Sequence, residues 1–175
     1  MRKLIADLLD MTKIEAGETL RSLTKVNVCE LARQSLELVE TQAQPRNIRC
    51  WLTSDSEISF TGDRTELEII LNNLVSNAVK YNRDSGEVEV SLSCTDNILS
   101  IKVRDTGIGM TVEESSRLFQ EFVRIKNEKT RNILGSGLGL SVVKKLVESY
   151  GGSVSVESAP DLGSTFLVKL PMAPV

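Results

Sequence analysis

Two glycine runs, Asp105-Thr106-Gly107-Ile108-Gly109 and Gly135-Ser136-Gly137-Leu138-Gly139-Leu140, constrain this chain more than any other feature. Glycine at alternating positions allows tight turns and close approach of the backbone, and it weakens any helix or strand that tries to pass through. The first run closes an alternating apolar stretch, Ile98–Arg104, which reads as a strand. The second opens a helical stretch, Leu140–Tyr150, which Gly151-Gly152 stops. A strand entering one glycine turn and a helix leaving another must both be accommodated by the fold.

The other elements follow from periodicity. Residues 1–16 carry an apolar stripe at helical spacing (Leu4, Ile5, Leu8, Leu9, Met11, Ile14), with Gly17 as a stop. A short strand is expected around Lys25–Val28, then a helix over 29–44 (Leu31, Leu36, Leu38, Val39) ended by Pro45. Ile48–Thr53 and Ile58–Phe60 read as a hairpin around Ser54-Asp55-Ser56-Glu57. Asp63 caps the clearest helix, with Glu66 completing the pattern of a capping box and Leu67, Ile70, Leu71, Leu74, Val75 and Ala78 as its core face. Val88–Ser93 and Ile98–Arg104 pair across an Asp96-Asn97 turn, and Ser153–Glu157 and Thr165–Leu170 form a last pair. Helices interleaved with hairpin-connected strands imply an α/β (α+β) two-layer sandwich, its mixed, mostly antiparallel sheet covered on one face by helices. A doubly wound parallel sheet does not fit.

At 175 residues the chain has room for one packed domain and a short appendage. A net charge of -3 gives no reason to expect nucleic acid as a partner. Cys29, Cys50 and Cys94 are dispersed and odd in number, which suits a reducing compartment and no zinc site. No apolar run approaches the roughly 18 residues that cross a bilayer, so a soluble, cytosolic chain is expected. The sequence contains 0 histidines, which excludes histidine acid/base chemistry, histidine metal ligation and a phosphohistidine on this chain.

On the Asp63 helix, Asn73, Asn77 and Lys80 share a face at i, i+4 and i+7, away from the leucine stripe. An amide oxygen is a hard ligand suited to Mg2+, and an ammonium suits phosphate. By itself such a face is more often a solvated polar stripe on a surface helix, and it is the neighbouring motifs that reverse this reading. A carboxylate at a strand end, Asp105, accepts from the exocyclic amine of adenine, where guanine carries an acceptor; alone, D-x-G-x-G is also a plain turn. Backbone N–H groups after Gly135, at a helix N-terminus, attract phosphate. The run is neither G-x-G-x-x-G nor a Walker loop. Residues 110–134, with Phe119, Phe122, Arg124, Lys126, Lys129 and Arg131, read as a lid over a polyphosphate, with a solvated loop as the alternative for 126–134.

Taken together these segments resemble the catalytic, ATP-binding domain of sensor histidine kinases, within the gyrase, chaperone, histidine-kinase and mismatch-repair ATPase group. Asn73-Leu74-Val75-Ser76-Asn77-Ala78-Val79-Lys80-Tyr81 is similar to the N box and Asp105–Gly109 to the G1 box. Leu118-Phe119-Gln120-Glu121-Phe122 is similar to the F box, and Gly135–Leu140 to the G2 box. The resemblance implies ATP with Mg2+ held by Asn77, and phosphate contacts from Asn73 and Lys80. It implies adenine contacts from Tyr81, Asp105, Gly107 and Gly109, and triphosphate contacts from Gly135, Ser136, Gly137, Leu138, Gly139 and Leu140. Arg124 and Arg131 are lid candidates for the γ-phosphate. One departure is Tyr150, where many relatives carry His before Gly-Gly.

The resemblance further implies a division into 1–17 (end of a dimerisation and phosphoacceptor helix), 18–24 (linker) and 25–172 (catalytic domain). On that reading the chain is a fragment of a homodimeric kinase whose acceptor histidine lies upstream, and Leu4, Leu8 and Met11 are exposed or self-associated. The partners implied are the phosphoacceptor domain of the same kinase and a response-regulator receiver domain, in the cytoplasm or on the cytoplasmic side of a membrane-bound sensor. Hydrolytic members of the group place a water-activating Glu where this chain has Asn73, so transfer to an external nucleophile is favoured. A hydrolytic ATPase module and a non-catalytic nucleotide-binding or interaction module are the alternatives.

Overall fold

The computed structural model describes residues 21–121, 123, 125, 130–131 and 136–172. The helix expected over 1–16 with its Gly17 stop, and Phe122, Arg124, Lys126, Lys129 and Gly135, lie outside the described residues. The elements are β1 (Leu23–Asn27), α1 (Val28–Ala43), a 3-10 turn (Gln44–Arg46), β2 (Arg49–Ser54), β3 (Ser59–Asp63) and α2 (Arg64–Lys80). They continue with β4 (Glu87–Thr95), β5 (Ile98–Asp105), α3 (Val112–Ser116), α4 (Gly139–Ser149), β6 (Ser153–Ala159) and β7 (Gly163–Pro171). β1 begins at Leu23, inside the stretch expected to be linker.

Five strands form one sheet in the order β2-β4-β5-β7-β6, antiparallel except for the β2–β4 pair. Its inward residues alternate along each strand: Val88, Val90 and Leu92, then Leu99, Ile101 and Val103, then Phe166, Val168 and Leu170, all buried. α1, α2 and α4 cover that one face and supply the other half of the core. The architecture is therefore the expected two-layer sandwich. The Asp96-Asn97 turn has both residues at positive φ, 53° and 58°, as a two-residue hairpin linking right-twisted strands requires.

One expected pairing is wrong. Ile48–Thr53 and Ile58–Phe60 are both extended, but they do not form a hairpin. β2 runs parallel to β4 in the main sheet, whereas β3 pairs antiparallel with β1 in a separate two-stranded ribbon. The polar turn between them is the corner where the chain leaves one sheet for the other. Leu38 also departs from expectation. It is 66% exposed, because the buried stripe of α1 runs through Val28, Leu31, Ala32, Ser35, Val39 and Ala43 and leaves Leu38 off that face.

Half of the expected capping box forms at α2. Asp63 accepts from the N–H groups of Thr65 (2.9 Å) and Glu66 (3.3 Å). Glu66 turns away to pair with Arg21 at 3.0 Å, and the Asp63 N–H donates instead to the Tyr150 hydroxyl at 2.9 Å. Arg21 also lies 4.8 Å above the Tyr150 ring and donates to the Ser149 carbonyl and hydroxyl. The residue that departs from the family pattern thus ties the start of α2 to the end of α4. Tyr150→Phe strands the Asp63 N–H in a part-buried setting and is expected to cost about 1–2 kcal/mol, read from the urea midpoint. A midpoint equal to the parent's would show that another acceptor satisfies this group.

Candidate functional site: a nucleotide cavity

α2 presents Asn73, Asn77 and Lys80 to a cavity of about 540 Å³, bordered opposite by the Asp105 turn and the start of α4. Of the residues expected at a site, Asn73, Asn77, Lys80, Tyr81, Asp105, Gly109, Ser136, Gly137, Gly139 and Leu140 line this space together. Gly107, Leu138 and Arg131 do not. Leu138 is fully buried among the core residues, and Arg131 is exposed. Gly107 sits behind the wall, where a Cβ would fall 2.3 Å from the Tyr81 carbonyl oxygen.

Asp105 is only 6% exposed, at the end of β5. Its Oδ1 accepts from Gly107 N–H at 2.8 Å and Ser164 N–H at 3.3 Å. Burial outweighs these two bonds and pushes the carboxyl up to about 6. Among the described residues Oδ2 has no hydrogen-bond partner, so one acceptor oxygen remains for a ligand. Apolar groups surround this end of the cavity: Val79, Ile108, Met110, Leu118 and Phe166. Phe119 braces Phe166 edge to face, with centroids 6.5 Å apart. A flat ring with an amine on its edge suits this chemistry.

The other end is polar. Lys80 Nζ lies 4.9 Å from the Tyr81 ring centroid. Asn73 spends one amide hydrogen on the Ile69 carbonyl (2.9 Å), which turns its oxygen toward Gly139, where a Cβ would come within 2.4 Å. α4 starts at Gly139 with no side-chain cap, leaving backbone donors at its N-terminus for an anion. Among the described lining residues Asp105 is the one carboxylate, and Lys80 and Arg46 are the cations. Glu66 and Glu68, the nearest upstream carboxylates on α2, pair with Arg21 and Arg64 and do not line the cavity.

No group of three or more His, Cys, Asp or Glu side chains able to hold a metal occurs among the described residues. The Asn77 amide lines the cavity, and among the described residues its side chain has no hydrogen-bond partner. A single hard oxygen suits a Mg2+ whose remaining ligands come from phosphates and water. Mg2+ bound there would neutralise charge on the phosphates, and Asn77 would orient it.

Gln42, Arg46, Ser76, Ile108, Met110, Ser164 and Phe166 also line the cavity, beyond the site residues expected from the sequence. Ser76 follows Asn73 by three residues and could have been read from helical spacing. Ile108 and Met110 belong to the Asp105 turn and its exit, while Gln42, Arg46, Ser164 and Phe166 come from α1, the 3-10 turn and β7, where no local signal marks them.

This fold and cavity define an α/β-sandwich domain built to receive a nucleotide. The chain belongs to the histidine kinase-, DNA gyrase B- and HSP90-like ATPase family, whose model matches residues 62–174. It is similar to the sensor histidine kinase RcsC of Salmonella typhimurium, 34% identical over 177 residues that cover 97% of this chain and 18% of RcsC. It is also similar to the circadian input-output histidine kinase CikA of Synechococcus elongatus, 36% identical over 174 residues covering 97% of this chain and 23% of CikA. The chain therefore spans about a fifth of the length of these relatives. Among solved structures, full-length ShkA in complex with AMPPNP aligns with a TM-score of 0.86 and 30% identity, over 99% of this chain and 36% of ShkA. The mycobacterial sensor histidine kinase MprB aligns at 0.76 and 29%, over 87% of this chain and 100% of that one. No helix among the described residues is long and apolar enough to cross a membrane.

Proposed function

We propose that residues 25–172 are the ATP-binding catalytic domain of a sensor histidine kinase. The domain holds Mg2+-ATP and passes its γ-phosphate to a histidine on a phosphoacceptor domain of the same kinase, for relay to a response-regulator receiver in the cytoplasm. Residues 1–17 are assigned, by resemblance of sequence alone, to the end of the dimerisation and phosphoacceptor domain. The observation that carries this reading is the composition of the cavity wall. A buried carboxylate faces the apolar end, while amides, an ammonium and uncapped helix N–H groups face the polar end, with no carboxylate beside them to activate water among the described residues. The similarity to AMPPNP-bound ShkA supports it.

In mechanism, Asp105 and the apolar wall orient adenine, and Asn73, Lys80 and the α4 N-terminus set the phosphates in line. An amide at Asn73 cannot take a proton from water at neutral pH, so ATP persists until an imidazole arrives. Catalysis is then positioning and charge neutralisation. The hydrolase alternative would need Glu66 or Glu68 as base, and both are committed to arginines outside the cavity.

The test is incubation with γ-labelled Mg2+-ATP, with and without the separately purified phosphoacceptor domain. Label is expected on the acceptor histidine and none on this chain. Steady phosphate release without acceptor would establish hydrolysis instead, and absence of nucleotide binding would leave an interaction module. Asn77→Asp adds a charge beside the phosphates and alters the metal ligand. It is expected to lower the transfer rate at least about tenfold while leaving Mg2+-free nucleotide binding less affected. Equal transfer by this variant and the parent would remove Asn77 from the metal site.

A further inference from the structure

Behind the cavity wall, two polar residues join its two ends without lining it. Asn82, two residues after Lys80, is 4% exposed, and its side chain makes four hydrogen bonds. Its amide group donates to the carbonyls of Ala78 (3.1 Å) and Glu87 (3.0 Å). Its oxygen accepts from Arg83 N–H (2.9 Å) and the Thr106 hydroxyl (3.5 Å). The same hydroxyl accepts from Glu87 N–H at 2.8 Å, and Thr106 N–H donates to the Glu87 carbonyl at 3.1 Å. The end of α2, the start of β4 and the Asp105 turn are therefore tied at one point.

The surroundings are shaped to it. A Cβ on Gly86 would fall 2.1 Å from the Asn82 side-chain oxygen, and one on Gly107 would fall 3.0 Å from Asn82 Cα. Ile108 N–H donates to the Tyr81 carbonyl at 3.1 Å, a second tie between the two segments. Arg46 closes the far side by donating to the carbonyls of Val79 (2.8 Å) and Asn82 (2.6 Å).

We propose that Asn82 and Thr106 are positioning residues that set base selectivity, by holding the Asp105 turn in register with Lys80 and Tyr81. The proposal rests on the adenine-nucleotide reading above. A hydrogen bond from an amine to a buried carboxylate is steep in distance and angle. A few tenths of an ångström lost at Asp105 weakens the contact that separates adenine from a purine with oxygen in place of the amine. Phosphate contacts from α2 and α4 do not depend on that register. Loosening the tie should therefore lower affinity for ATP but not for ITP.

The experiment measures dissociation constants for ATP and ITP on the parent, Thr106→Val, Thr106→Ser and Asn82→Ser, with Val168→Ala as a core-destabilised control. The parent is expected to prefer ATP at least about tenfold, the worth of one charge-assisted bond. Thr106→Val and Asn82→Ser should each reduce that ratio about fivefold or more, with ITP binding nearly constant. Thr106→Ser should restore it, and Val168→Ala should lose stability and keep the ratio. If both Thr106→Val and Asn82→Ser keep the parent's ratio, the tie is structural only and the proposal is overturned. Asn82→Ser carries the test if Thr106→Val does not fold. A parent that binds ATP and ITP equally overturns the role given to Asp105 and this inference with it; a parent that binds neither overturns the proposed function.

Discussion

Asp105→Asn is expected to reduce ATP affinity roughly ten- to a hundredfold at pH 7.5, since a hydrogen bond to a charged acceptor is worth about 1.5–3 kcal/mol. Asn can keep the bonds that Oδ1 accepts from Gly107 and Ser164. It then turns an amide toward the adenine amine, donor against donor. The same change should stabilise the nucleotide-free protein. Burial raises the Asp105 carboxyl to about 6 in the folded state, from 3.8 as an ordinary value. Because the folded state binds its proton more tightly than the unfolded chain, the protonated acid favours folding below pH 4, and this advantage is lost as pH rises through 6. The span corresponds to about 3 kcal/mol at most. Thermal melts from pH 4 to 8 should show Asp105→Asn gaining on the parent as pH rises, with the difference set by pH 7. Its deficit in ADP binding should shrink as pH falls below 6, where the parent's carboxyl takes up its proton. If parent and variant bind ADP equally at neutral pH, adenine is not read by this residue.

Gly109→Ala should be the most damaging single-methyl change in the cavity wall. Gly109 has φ +61°, and a Cβ there would stand 1.8 Å from the Ala159 carbonyl oxygen at the β6–β7 turn. A left-handed backbone alone costs about 1 kcal/mol or more for alanine, and a backbone oxygen cannot swing aside as a side-chain tip can. The turns are interlocked at this place: Asp161 N–H donates to the Ile108 carbonyl at 2.8 Å. A Cβ on Gly163 would likewise fall 2.1 Å from the Asp105 carbonyl oxygen. A loss on the order of 3 kcal/mol is expected in urea unfolding, a large part of the roughly 5–15 kcal/mol that a domain has. Nucleotide binding should weaken as well, because Asp105 moves with the turn. A loss under about 0.5 kcal/mol would mean that the two turns are not in contact in solution.

The legible parts of this protein are those carried by short-range spacing. Asp63 caps α2 through its own carboxylate, and Leu67, Ile70, Leu71, Leu74, Val75 and Ala78 fall on one buried stripe by helical period alone. The opposite face then has to carry Asn73, Asn77 and Lys80 together. The β4–β5 and β6–β7 hairpins were legible for the same reason, since each closes over a short turn. The β2–β3 segment has equally good local signals, but its partners are β4 and β1, brought in by the packing of α2 and α1. A run of extended residues records its preference for a sheet and not which strand it will meet.

Leu138 shows the same division within one motif. The glycine spacing around it marks a turn before a helix, yet only packing decides that its side chain enters the core while Gly137 and Gly139 face the cavity. Gln42, Arg46, Ser164 and Phe166 reach that cavity from three separate segments, and no pattern along the chain connects them. What the sequence determined unaided is most of the described elements and which polar residues share the α2 face and the two glycine turns, because those depend on neighbours within a few residues. Tertiary structure alone decided which strands adjoin, how deeply Asp105 is buried, and that the Ser164 N–H reaches it. Each of those quantities is a distance between segments tens of residues apart, set by how the core closes.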